Sequence, residues 1–224
     1  MHTFNSIIAL IIRDFKITYR NFSDILSIFI FFLLGIIIFV FSIGKNNEMI
    51  NEIGIGIIWT LLVLSNNLSL RKFYQDDFND NSIILFHISG LSYEIIALIK
   101  MIVNWIFIQL PFFLIIPLGV LLLNIEISNF QIIFLSFLIG STIITCITSI
   151  SGSMNLLNNK NFAIGSLIIM ILSIPVIIFS VSLINVSDEF IKAQINILLG
   201  IMFFFLAITP WICAACIKLA LQSK

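Results

Sequence analysis

The 224-residue sequence has little charge: Asp, Glu, Lys and Arg make up 10% of it, against 60% apolar residues. Soluble domains carry about 25% charged and roughly 45–50% apolar residues. So little polar surface cannot cover a water-soluble globule of this size. A soluble enzyme, a nucleic-acid binder and a disordered chain are excluded, and with a mean hydropathy of +1.19 an integral membrane protein remains. Histidine is scarce, with only His2 and His87, both outside the long apolar runs, so histidine ligation of haem or metal inside a membrane is not available. The three cysteines, Cys146, Cys213 and Cys216, lie inside apolar runs, and no disulfide framework is expected. Cys213-Ala-Ala-Cys216 has C-x-x-C spacing. A redox pair needs solvent access and a helix N-terminus, and Ile217 stands where covalent haem attachment needs histidine, so small residues on a packing face are the better reading. No GxxxxGK[ST] phosphate loop occurs: Gly44-Lys45 has Phe39 in place of the first glycine. No nucleotide site of that kind, no catalytic residue and no metal site are expected. Ionisable residues, which proton-coupled transporters keep within the membrane, are missing from the runs, and this disfavours ion-coupled transport.

Six uncharged apolar runs are present: 25–43, 53–70, 101–123, 130–154, 162–184 and 193–217. Each is near the roughly 20 residues a spanning helix needs, and none alternates as a barrel strand would. The expectation is a single all-α membrane domain over 1–224 with six transmembrane helices. Arg13, Lys16, Arg20, Arg71, Lys72, Lys100, Lys160, Lys218 and Lys224 then fall on one side, and only Lys45 and Lys192 on the other. The positive-inside rule places the first group, and both termini, in the cytoplasm. No cleavable signal peptide is expected, because the basic residues follow the short stretch 7–12 instead of leading it.

Residues 3–22 read as an amphipathic helix lying in the membrane interface, with Arg13, Lys16 and Arg20 at i, i+3 and i+7 turned to the headgroups. Segment 71–94 is the one long charged cytoplasmic loop. Its acids Asp76, Asp77 and Asp80 interleave with Phe73, Tyr74 and Phe78. That pattern suits a short helix along the membrane with the acids facing the cytoplasm, either docking a soluble partner or simply solvated. The loops 44–52, 124–129 and 185–192 leave no room for an outer domain. Asn66, Asn67, Asn104, Gln109 and the hydroxyls from Ser141 to Ser153 read as helix–helix hydrogen bonding. Pro111, Pro117, Pro175 and Pro210 lie in spans and would kink them.

These residues together resemble the haem exporter B family (CcmB), which reads F-x-x-D-[FY]-x-D-G-[ST]-L-E-Q in its cytoplasmic signature. Asp77, Phe78, Asp80 and Ser82 match, and Tyr74 takes the place of the first Phe. Asn81 replaces the glycine and Ile84 the glutamate. Lys100-Met-Ile-Val-Asn-Trp105, Leu110-Pro111 and Pro117-Leu118 are similar to the family's A-K-x-x-x-[HN]-W, L-P and P-L. Arg13-Asp14, Gly140, Ile174-Pro175 and Thr209-Pro210 also fall at family-like positions. The resemblance implies a six-span ABC-2 type exporter permease in the bacterial inner membrane, with an interfacial helix and a coupling helix within 71–94. It implies a homodimer with two copies of a separate ABC ATPase subunit that binds ATP. It also implies association with a haem-handling membrane protein and a small single-span subunit of the cytochrome c maturation system. Haem, or release of a haem-loaded periplasmic chaperone, is the implied cargo step. The alternatives are an ABC-2 permease for a lipid, polysaccharide or drug, and a channel or assembly factor not driven by ATP.

Overall fold

Without water to bond them, backbone groups in an apolar run must pair within their own segment, and every regular element among the described residues is helical. The computed structural model describes residues 2–44, 47–123, 125, 130–157, 163–185 and 188–223. Lys45, Glu126, Lys160, Phe162 and Lys224 lie outside the described residues, as does most of 124–129; of the expected loops 44–52 and 185–192 only 45–46 and 186–187 do, and most of the remainder belongs to helices. In chain order the elements are α1 (His2–Arg20), α2 (Phe22–Ile43), α3 (Asn47–Asn67), α4 (Leu70–Asn79), α5 (Ser82–Ile88) and α6 (Tyr93–Asn104). A π-helical turn (Trp105–Gln109) leads into α7 (Leu110–Leu122), and α8 (Phe130–Asn155), α9 (Ala163–Asn185) and α10 (Asp188–Gln222) complete the chain.

Among the described residues five stretches are long and apolar enough to cross a membrane: Phe22–Ile43, Tyr93–Leu122, Gln131–Asn155, Ile164–Leu183 and Phe190–Gln222. The apolar part of α3, Ile53–Asn67, is shorter. The chain is a multi-pass membrane protein. Its second apolar run ends three residues before the expected limit. Ser69 donates both its amide and its hydroxyl to the Asn66 carbonyl (3.1 and 2.8 Å). That tight i→i+3 closure ends α3 and frees α4 to start in a new direction. The third run starts eight residues before the expected one, because Ser92 caps α6 by accepting from the Ile95 amide (3.4 Å).

The centre of the bundle is α8, which packs on α9 and α10 and also touches α3, α4, α6 and the π turn. Its Ser136, Ser141, Thr145, Thr148, Ser149 and Ser153 are buried. Five of these hydroxyls bond back to carbonyls three or four residues earlier, as Thr148 does to Ile144 (2.8 Å). These five hydroxyls are thus satisfied within the helix, which lets neighbours approach closely. A Cβ on Gly140 would overlap the buried Trp59 ring of α3. Between spans, Gln109 donates to Asn66 (2.7 Å, both buried) and Trp105 to Ser141 (3.3 Å). The π turn closes with the Leu110 amide on the Trp105 carbonyl and directly precedes Pro111, which has no amide hydrogen to give.

Candidate functional site

Four charged side chains from three separate helices meet at one corner. Arg13 Nη1 is 2.9 Å from Asp14 Oδ1, and Arg13 Nη2 is 2.6 Å from Asp77 Oδ1. Lys100 Nζ is 3.4 Å from Asp14 Oδ2 and also bonds Asp77 Oδ2. Arg13 further donates to Ser82 Oγ (3.3 Å) and lies 4.9 Å from the centre of the Phe86 ring. The cluster joins α1 (Arg13, Asp14), α4 (Asp77), α5 (Ser82, Phe86) and α6 (Lys100). Asp14 and Asp77 are buried. Burial alone would raise the Asp77 carboxyl, but the Lys100 ammonium and the Arg13 guanidinium outweigh it and hold Asp77 below the usual carboxylate range. Burial likewise works against the Arg13 charge, and its bonds to Asp77 and Asp14 reverse that and raise it.

The opposite side of α4 is fixed by apolar contact. Phe73, Tyr74 and Phe78 are buried with Cys146 of α8 and Ile217 and Ala220 of α10. The Tyr74 hydroxyl pairs with Ser149 Oγ (2.7 Å), and Ser149 lies 3.3 Å from Cys213 Sγ. Burial pushes the Tyr74 phenol well above its usual range. Gly152 makes this approach possible, since a Cβ there would sit 3.1 Å from Phe73 Cβ.

Two expectations are corrected. First, α4 is not a helix with all its acids turned outward: Asp76 and Asp80 are exposed, but Asp77 is paired inside the protein. The reason is electrostatic, because Arg13 and Lys100 would otherwise be left beside apolar cluster residues such as Leu10, Ile99 and Val103. Second, the three basic residues of α1 do not act alike. Lys16 and Arg20 are exposed, whereas Arg13 turns inward to the carboxylates. Of the family-like residues of the third run, Lys100 joins the cluster and Trp105 bonds α8. Pro111 follows the π turn, and Pro117 sits within α7. Asn81, standing for the family's glycine, has φ +59°, a left-handed conformation that asparagine tolerates better than other side-chain-bearing residues. Ser149 bonds between helices, as expected of the hydroxyls from Ser141 to Ser153, whereas sequence reasoning missed Gly152 and Phe86, which carry no charge or motif signal.

Among the described residues, an all-helical, multi-pass membrane protein with an ion-paired corner outside its apolar spans is the class that fold and site define. The CcmB protein family matches residues 5–220, and the chain belongs to that family. Heme exporter protein B of Haemophilus influenzae is 29% identical over 218 residues, covering 96% of this chain and 99% of the relative. Proteins of the same name from Rhodobacter capsulatus (26% identical, 96% and 99% covered) and Pseudomonas aeruginosa (22% identical, 94% and 96% covered) are similar over almost the same length.

Proposed function

We propose that the chain is the membrane permease subunit of an ATP-driven exporter serving cytochrome c maturation. Its cargo step is haem export or release of the haem-loaded periplasmic chaperone. The name heme exporter protein B of its relatives supports haem as the substrate class. In this reading α2, α3, α6–α7, α8, α9 and α10 are six spans of an ABC-2 type permease in the bacterial inner membrane. The apolar part of α3, Ile53–Asn67, extends about 22 Å at 1.5 Å per residue, and a short span of this kind is accommodated by local thinning of the bilayer. The positive-inside rule then puts the α4–α5 corner in the cytoplasm. ATP is bound and hydrolysed on a separate ATPase subunit, two copies of which serve a permease homodimer. The haem-handling membrane protein and the small single-span subunit complete the complex.

The observation that carries the reading is the two-sided anchoring of α4. Its inner side is tied by ions to α1 and α6 and by aromatic packing to α8 and α10. Its outer side presents Asp76 and Asp80, and α5 adds exposed Leu85 and Ile88. A push on that outer surface is delivered to four helices at once. The experiment is co-purification of the ATPase subunit with Asp76→Arg/Asp80→Arg. Both side chains are exposed, so the variant folds, and reversed rim charge lowers ATPase recovery by at least about tenfold. Undiminished recovery rejects the docking role.

A further inference from the structure

We propose that the groove between α1 and the π turn is a binding site for one anionic phospholipid of the surrounding membrane. The groove has a volume of ≈ 740 Å³, and its walls include Ile12, Phe15 and Ile17 of α1 and Phe107 of the π turn. The Phe15 and Phe107 rings meet edge to face at 4.9 Å and close its floor. Lys16 and Arg20 line it one helical turn apart, a spacing that brings two side chains to the same face. Both are exposed, and neither forms an ion pair with the described residues. The third basic residue of the groove, Arg13, is already neutralised by Asp14 and Asp77.

Charge distinguishes this groove from the neighbouring crevice along α1. That crevice shares Ile17 and Phe107 with the groove but is lined by four carboxylates, Asp14, Asp24, Asp76 and Asp77, against the one cation Lys100, whereas the groove has no carboxylate among its lining residues. An anion is therefore attracted to the groove in preference to the crevice. Depth selects a lipid over a soluble phosphate. Phe107 lies seven residues beyond Lys100, about 10 Å along the helix, within the uncharged apolar run that begins at Met101. The groove thus runs from a cationic mouth to an apolar floor at acyl-chain depth. A phosphate fits between Lys16 and Arg20, which extend toward the headgroups, while an acyl chain lies along Ile12 and Phe107. This goes beyond an amphipathic helix resting on a charged surface, because it assigns a discrete, saturable site.

The test is native mass spectrometry of the full-length chain in neutral detergent, titrated with phosphatidylglycerol or with phosphatidylcholine of the same acyl chains. One phosphatidylglycerol binds in preference to phosphatidylcholine, and glycerol 1-phosphate does not displace it. Lys16→Gln/Arg20→Gln weakens phosphatidylglycerol binding about thirtyfold, from about fivefold per cation near the headgroups, and leaves phosphatidylcholine binding unchanged. Lys192→Gln/Lys218→Gln, which removes the same charge elsewhere, keeps the site. Equal binding of the two lipids, equal loss in both double variants, or displacement by glycerol 1-phosphate overturns the proposal. No ATPase subunit and no haem enter the measurement, so its outcome is independent of the permease reading.

Discussion

Lys100 stands between two buried carboxylates, and Arg13 closes the set at two positive against two negative charges. Such a cluster is stable because it balances, and it is intolerant of losing one member. Lys100→Met leaves Asp14 and Asp77 sharing Arg13 alone. It lowers stability by about 3 kcal/mol in denaturant unfolding, and adding Asp77→Asn to it costs less than the sum of the single changes. Acid acts on the same bonds. The folded Asp77 carboxyl titrates below its unfolded value, so the unfolded chain binds more protons in the acid range. The stabilisation is fully present above about pH 4 and is lost as pH falls through the folded value. Asp77→Asn flattens that part of the stability–pH curve, as thermal unfolding across pH 3–6 would record. Each of Arg13, Asp14, Asp77, Ser82 and Lys100 was legible as a residue worth noting. Their meeting was not, because the partners are 64, 86 and 23 residues apart, and a lone charge in a sequence reads by default as solvated. The informative sign was that Arg13 sits among apolar residues of α1, where a carboxylate partner is needed.

At the scale of elements, the sequence pattern located the helices well wherever apolar length decided the matter. The runs 25–43, 130–154 and 162–184 differ from α2, α8 and α9 by at most three residues at either end. It failed at ends set by hydrogen-bond geometry: the Ser69–Asn66 closure of α3, the Ser92 cap of α6, and the π turn. Proline placement foretold a disturbance near Pro111, but only the backbone shows that it takes the form of a widened turn ahead of the ring. The seating of α4 depends on a contact with no sequence signature, the bare Cα of Gly152 under Phe73 and Tyr74. Gly152→Val places branched carbon atoms in that contact, and α4 must lift from α8. The expected loss is about 1–3 kcal/mol, and limited proteolysis at residues 80–92 should accelerate while α8 to α10 stay protected. Unchanged cleavage in this variant would mean that α4 is held by its ionic side alone.

For the whole molecule, the number of crossings decides which surface meets which compartment. Among the described residues five helices satisfy the length and hydropathy needed to cross, and the topology turns on α3, whose apolar part is only Ile53–Asn67. If α3 crosses and the N-terminus is cytoplasmic, Ser89 lies inside and Phe190 outside. If α3 does not cross, both assignments invert: Ser89 is outside, Phe190 is inside, and Lys100 is carried to the outer face against the positive-inside rule. Both residues are exposed and the native cysteines are buried, so single cysteines at these positions report without background. With six spans, a membrane-impermeant maleimide labels Phe190→Cys in intact cells and labels Ser89→Cys only after permeabilisation. The reverse pattern would put the α4–α5 corner outside, where no ATPase subunit could reach Asp76 and Asp80. One labelling experiment therefore tests the topology and, through it, whether this corner can be the place where force enters the membrane domain.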